Sequence, residues 1–304
     1  MTRRQEITRV CKKLGHSERK VCKALDQNRS TQRYELKMPE KDSQLVEHIK
    51  EQVQKRKHRK YGYRRICEIL CRMGLLVNHK RVYRLWHNEG LHLKRKGKRG
   101  KRKNSGASEN ACDRKRSEYM DHIWSYDFIE EKLQNRRKVR VLNIVDEFTH
   151  ECLASEAERK FKGYGVADVL RYLFMVRGCP EYIRSDNGPE FYSKAVKDVM
   201  DEFGVKPLFV KPASPWENGY VESFNARMRD ELLDGEIFLT LVEMKYVVDR
   251  WRMDYNHYRP HSSLAYMTPA EFARLCIETD CRRRQRKQLN MSIEYGVNCK
   301  EILS

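Results

Sequence analysis

Apolar positions recur at helical spacing through residues 5–90 and at strand spacing after residue 120, so the chain reads as helical units followed by an α/β body. Ile7, Val10 and Leu14 form one apolar stripe, Gly15 breaks it, and Ser17 caps a second predicted helix through Leu25. Arg29 to Tyr34 follows as a short third helix bearing Arg29 and Arg33. A second unit begins with Leu45, Ile49 and Val53, again at helical spacing. In it Tyr61-Gly62-Tyr63-Arg64-Arg65-Ile66 opens a helix carrying Ile69 and Leu70, and Gly74 ends it. Asn78 caps the last helix, with Val82, Leu85 and Trp86 inward and His79, Lys80, Arg81 and Arg84 elsewhere on its surface.

From His122 onward the texture changes. Ile123 to Ile129, Val139 to Val145 and Glu151 to Ala157 read as three strands joined by short turns, which predicts an antiparallel meander. Val166, Val169, Leu170, Leu173 and Phe174 predict a helix from Gly163 to Arg177. A strand at Glu181 to Ser185, a helix from Tyr192 to Phe203 and a strand from Val205 to Val210 follow. Three strands and then alternating helix and strand is the order of an RNase H-like α/β layer. Ser214-Pro215-Trp216-Glu217 is a capping-box pattern, and the helix it opens would hold Glu222 in its second turn, with Asn225 and Arg229 on the same face. Another helix runs from Leu241 to His257, and a capping box at Thr268-Pro269-Ala270-Glu271 starts a short one to Ile277. The expected organisation is therefore a helix-turn-helix-like unit at 1–38, a second helical DNA-binding unit at 42–92, a basic linker at 93–118, the RNase H-like core at 119–236, a helical extension at 237–278 and a basic, flexible tail at 279–304.

Charge sharpens this division. The 304 residues carry a net +20, yet residues 1–120 hold 35 Lys and Arg against 13 Asp and Glu, leaving residues 121–304 near neutral at −2. Such a front half suits a polyanion, and both helical units fit the helix-turn-helix layout, whose last helix enters the major groove. Arg29, Arg33, Arg64, Arg65, His79, Lys80, Arg81 and Arg84 are the DNA-contact candidates on these helices. Residues 94–103 are eight cations and two glycines, a composition that cannot build a core but neutralises phosphates. No apolar run is long enough to span a membrane, and the expected location is the cytoplasm. The ten cysteines are scattered with no Cys-x-x-Cys pair, which speaks for free thiols. Cys67 and Cys71 with His79 and His87 match no usual zinc spacing.

Among 43 acidic residues, Asp127 stands out because it interrupts an aromatic strand, on the face opposite Trp124, Tyr126 and Phe128. Burying it costs several kcal/mol unless a cation or partner compensates. Asp186 follows a short strand at an Asn-Gly turn, and Glu222 lies 36 positions on. If these three converge to about 4 Å, each pair repels by roughly 4 kcal/mol at an effective dielectric of 20, so convergence implies a metal. Asp146 belongs to a turn by its neighbours, and Glu190, four residues after Asp186, ranks below Glu222 as a ligand.

The spacing of Asp127, Asp186 and Glu222 resembles the DDE triad of retroviral integrases and insertion-sequence transposases. The words Trp-Ser-Tyr-Asp-Phe, Ser-Asp-Asn-Gly-Pro-Glu-Phe, Glu-Asn-Gly-Tyr-Val-Glu-Ser-Phe-Asn and Tyr-Asn-His-Tyr-Arg-Pro-His-Ser-Ser-Leu, with Tyr61 to Ile66 and Asn78 to Val82, are similar to the OrfB-type transposase of bacterial insertion sequences with two overlapping reading frames. That resemblance covers residues 5–275. It implies an integrase-type core, two Mg²⁺ or Mn²⁺ ions on the three carboxylates, cleavage at terminal inverted repeats, and attack of the exposed 3′ hydroxyl on target DNA. Asn225 and Arg229, on the helix face of Glu222, and Asn187, next to Asp186, are the further DNA-contact candidates. Double-stranded DNA, a second copy of the chain in a synaptic complex and the product of an upstream frame are the implied partners, in a bacterial, nucleoid-associated setting. No long heptad run and no His-His-Cys-Cys zinc module of the retroviral kind occurs in the sequence. The alternatives are a DNA-binding accessory protein whose core does not catalyse, and an RNase H-like nuclease.

Overall fold

The computed structural model describes residues 3–34, 40–55, 58, 60–92, 115–186, 188, 190–209 and 218–279. The cationic run at 94–103, Asn187, Val210, the box at 214–217 and the tail from 280 lie outside them. The chain divides into two compact units, residues 1–50 and 51–304.

In the first unit α1 (Arg3–Leu14), α2 (Glu18–Ala24) and α3 (Arg29–Arg33) gather around buried Ile7, Val21 and Cys22. Leu14, expected in the apolar stripe, is exposed, and Cys11 packs inward beside Val10 instead. The reason is the helix end: Leu14 directly precedes Gly15, which turns the chain away at a φ of 63°. Asn28 caps α3 by accepting from the Ser30 amide. Leu45 and Ile49 of α4 (Glu40–Gln54) are buried as their spacing predicts.

The second unit begins with α5 (Tyr63–Arg72) packed on α6 (His79–Asn88), which Asn78 caps through the Lys80 amide. A five-stranded sheet follows in the order β3 (Cys152–Glu158), β2 (Lys138–Asp146), β1 (Ile123–Lys132), β4 (Tyr182–Ser185), β5 (Lys206–Phe209). The first three strands are an antiparallel meander; β4 and β5 join β1 in parallel through the crossover helices α7 (Gly163–Arg177) and α8 (Lys194–Glu202). This is the RNase H-like arrangement.

Strand alternation divides β1 between two cores. Trp124 and Tyr126 sink into the layer formed by α7 and α8, while Ile129 joins α9 (Gly219–Glu231) and α10 (Leu241–His257) on the other side. A Cβ on Gly163 would collide with Ser193, so the glycine lets α7 start against the residue that caps α8. Asn256, at the end of α10, pairs with Cys152 as a peptide would: its amide donates to the Cys152 carbonyl at 2.8 Å and accepts from the Cys152 N–H at 2.9 Å. The box at Thr268 closes in both directions, with Glu271 N–H donating to Thr268 Oγ1 at 3.2 Å and Thr268 N–H to Glu271 Oε2 at 2.7 Å, and it opens α11 over residues 269–279.

Candidate active site

Asp127 lies opposite Asn143 in the β1–β2 ladder, and Asn143 lies opposite Ser155 in the β2–β3 ladder. One polar row thus crosses three strands on the sheet face covered by α9. Ser155 Oγ donates to Asn143 Oδ1 at 2.7 Å, Asn143 Nδ2 to Asn225 Oδ1 at 2.8 Å, and Asn225 Nδ2 to Asp127 Oδ2 at 2.8 Å. Each amide is oriented by the group before it, so the Asp127 carboxylate has a fixed attitude. Its other oxygen accepts from the Phe128 N–H at 2.7 Å. Burial pushes the Asp127 carboxyl up to about 6; the Phe128 and Asn225 hydrogen bonds oppose this, and the charges of Asp186 and Glu222 reinforce it. Both other carboxylates are therefore close enough to act on Asp127 electrostatically.

They do not close to ligand spacing: among the described residues, no three His, Cys, Asp or Glu groups stand where they could hold one ion. Asp186 is exposed just beyond β4, its Oδ1 accepting from the Gly188 N–H at 3.1 Å. A Cβ on Gly188 would stand 3.1 Å from that same oxygen, so glycine there keeps the carboxylate uncrowded. Glu222 is exposed in the first turn of α9, not the second, because the helix begins at Gly219, five residues after the start of the predicted box. Glu190 is ion-paired with Arg140. Asp146 accepts from the N–H and hydroxyl of Thr149 at 3.0 and 2.6 Å, the turn role its neighbours suggest. The thiols of Cys67 and Cys71 both point at the Val77 carbonyl, at 3.6 and 3.8 Å.

Residues 118–215 and 203–269 match the Integrase core domain family, and residues 40–99 match an HTH-like domain. The 31.7 kDa protein of insertion element IS407 from Burkholderia multivorans is 35% identical over 267 residues, covering 88% of this chain and 94% of that one. The chain belongs to the OrfB-type family of insertion-sequence transposases. The 39.2 kDa protein of IS476 from Xanthomonas euvesicatoria is 34% identical over 89% of this chain and 76% of its own. The transposase of IS904 from Lactococcus lactis is 24% identical over 75% and 92%. Among solved structures, a simian T-cell lymphotropic virus intasome aligns with a TM-score of 0.48 at 18% identity, over 67% of this chain and 69% of that one. The HTLV-2 integrase catalytic core in complex with magnesium aligns at 0.42 and 19%, over 51% and 98%.

Several cations expected to meet DNA in this OrfB-type chain have partners of their own. Arg29 and Arg33 both reach Glu18, at 3.6 and 2.9 Å, across an exposed surface. Arg64 is exposed and donates to the Tyr63 hydroxyl at 3.1 Å, whereas Arg65 is half-buried and lies 3.5 Å from Glu231. His79, Lys80 and Arg84 are exposed on α6, and Arg81 is half-buried. Asn225, expected as a DNA contact, has its amide committed to Asp127 and Asn143. Arg229 stands at the outer end of β1, donating to the Glu130 carbonyl at 3.4 Å.

Sequence reasoning missed two buried ion pairs. Glu147 and Arg184 meet at 2.8 Å beneath the start of β1, with the Ser125 hydroxyl on the same carboxylate, and Arg259 grips Glu231 at 2.6 Å. Asn143 left a signal, a lone amide within the apolar run of β2, but only the strand register shows that it faces Asp127.

Proposed function

We propose that this family member is a DDE-type DNA transposase, with Asp127, Asp186 and Glu222 as its catalytic carboxylates and the ligands of two Mg²⁺ or Mn²⁺ ions. What carries this reading is the Asp127 carboxylate: half-buried in a strand, fixed by Asn225, and raised toward neutrality by desolvation and by the charges of the other two. An all-oxygen donor set with excess negative charge fits hard divalent cations. Bound there, such ions would stabilise charge on the attacking and leaving oxygens of a phosphodiester.

The residues of the chain then have separate tasks. Asn225, oriented by Asn143, which Ser155 orients in turn, holds one Asp127 oxygen by its amide. Gly188 leaves Asp186 room to move. In cleavage, water attacks the phosphorus at an element end and the 3′ oxygen departs as a hydroxyl. In strand transfer that hydroxyl attacks a target phosphodiester and displaces the target's 3′ oxygen, with no covalent enzyme–DNA intermediate. Positioning and electrostatics are the protein's whole contribution to such a step. Bringing two ends together calls for at least two copies of the chain on double-stranded DNA, with the upstream-frame product as a further partner, in the bacterial cytoplasm.

The test is cleavage and joining of DNA carrying the element's inverted repeats in Mg²⁺. Wild type cuts and joins, and Asp186→Asn does neither while still binding DNA. Wild-type rates in Asp186→Asn would overturn the assignment of the site. Preference for the RNA strand of a hybrid would instead favour a nuclease, and end binding without cleavage in either metal an accessory protein.

A further inference from the structure

Two of the sequence words, the one that holds Glu222 and the one from Tyr255 to Leu264, meet on another side of α9. Gly219, Tyr220 and Ser223 come from the first, and Tyr255, Arg259 and His261 from the second; together they line a cavity of about 390 Å³. On the α9 wheel, Tyr220, Ser223 and Arg227 form a stripe separate from that of Glu222, Asn225 and Arg229, so this cavity is distinct from the carboxylate site. The helical front supplies a wall as well, through Arg65 of α5.

Three arginines, Arg65, Arg227 and Arg259, face the cavity. Glu231, which pairs with Arg259 at 2.6 Å and Arg65 at 3.5 Å, offsets one of these charges and leaves a surplus of two among the residues named. Arg227 is exposed and forms no ion pair among the described residues. Burial, Arg259 and the neighbouring His150 push the His261 imidazole down to about 2, and burial lowers His150 as well, so both rings are neutral and the arginines alone set the charge. The hydroxyls of Ser223 and Ser262 add short donors to the wall. Guanidinium forks, hydroxyl donors and neutral imidazoles in a concave site are complementary to a tetrahedral, singly charged oxyanion.

We propose that this cavity binds a backbone phosphate of the DNA held by the transposase, a second anchoring point on another side of α9 from the carboxylate site. The proposal rests on the transposase reading for its ligand. DNA is favoured over an acidic protein segment because the wall joins the helix of Glu222 to the basic α5–α6 unit, the two parts that must follow one duplex.

The experiment measures binding of the full chain to a labelled duplex carrying the inverted repeat, in EDTA, where no cleavage can intervene. Arg227→Gln is expected to weaken binding roughly five- to tenfold near 0.1 M salt and to reduce the slope of log affinity against log salt by about one. Arg227→Lys restores most of the affinity. Lys197→Gln, the same charge change on α8 across the sheet, leaves affinity and slope unchanged. Wild-type affinity and slope in Arg227→Gln would overturn the proposal and point to a protein carboxylate as the occupant. An equal loss in Lys197→Gln would overturn it as well, reducing the effect to net charge. Inorganic phosphate that displaces DNA through Arg227 more strongly than chloride of equal ionic strength, with DNA affinity unaltered in Arg227→Gln, would assign a free anion and overturn the DNA assignment. Because binding is read without catalysis, a failed cleavage assay with a positive Arg227 result would sink the transposase chemistry and leave this site standing.

Discussion

A carboxylate between Tyr126 and Phe128 would give way to an apolar residue if packing alone were at stake, and its burial leaves a mark on stability. The folded pKa of Asp127, about 6, lies above the ordinary aspartate value of 3.8, so the native state binds the proton more tightly than the unfolded chain. Stability from this group is therefore greatest below pH 4, falls as pH rises between about 4 and 6, and stays low above. In chelator, Asp127→Asn should be more stable than wild type at pH 7 to 8 and no more stable near pH 4, as read by thermal unfolding. The shift alone corresponds to about 3 kcal/mol. The gain should be smaller, about 1–2 kcal/mol, because an amide oxygen can take only one of the hydrogen bonds from Phe128 and Asn225. Asn225 itself supports a different expectation. Asn225→Ala leaves Asp127 unoriented and Asn143 Nδ2 without its oxygen acceptor, so the Mg²⁺ concentration for half-maximal cleavage should rise by about 10- to 100-fold. Unchanged Mg²⁺ dependence in this variant would show that the polar row serves the sheet and not the site.

At the scale of elements, β4 is what delivers Asp186, and a buried charge pair fixes β4. Arg184 runs beside Ser125 of β1 in parallel register and meets Glu147 beyond the end of β2. Arg184→Met strands the Glu147 carboxylate in the core, and the expected loss in denaturant unfolding is about 3–5 kcal/mol. Replacing both partners with apolar residues of similar volume should recover most of it, since the desolvation cost of both charges disappears together. How legible such elements are in sequence depends on what sets their ends. The stripe from Val166 to Phe174 predicts Gly163 to Arg177, and α7 occupies that range, because its boundaries are local. The prediction of Tyr192 to Phe203 overshoots α8 by one residue at its end and by two at its start, where Ser193 caps it, a role that depends on reaching the Val196 N–H. Among the described residues α9 begins at Gly219 behind Asn218, and the capping box at 214–217 lies outside them. Asp127 is legible in the sequence as a carboxylate that interrupts an aromatic strand, which packing alone does not explain. The row through Asn143 and Ser155, and the partners of Arg184 and Arg259, are not legible there, because they depend on strand register and on contacts between residues far apart in sequence.

For the whole molecule the decisive asymmetry is electrostatic: residues 1–120 carry +22 and the remainder −2. The proposed carboxylate site belongs to the near-neutral part and would repel a phosphate backbone unless cations intervene, so on the transposase reading the affinity for DNA comes from the basic front. Non-specific binding should then follow counterion release from the front half and be insensitive to the carboxylates. The cationic run at 94–103 gives a direct measure of this, since its eight charges stand in ten residues with no apolar side chain to support a fold. Replacing Lys94, Lys96, Lys98 and Lys101 with Gln should lower the slope of log affinity against log salt by as much as about 3–4 on random-sequence duplex, each lost phosphate contact removing about 0.9. Thermal stability should stay within about 0.5 kcal/mol of wild type, as for surface substitutions outside a packed core. Discrimination between the inverted repeat and random DNA should also survive, because phosphate contacts position the protein and base contacts specify the sequence. A slope unaltered by four lost charges would mean that the run does not touch DNA, leaving that task to α6 and to the helices of the first unit.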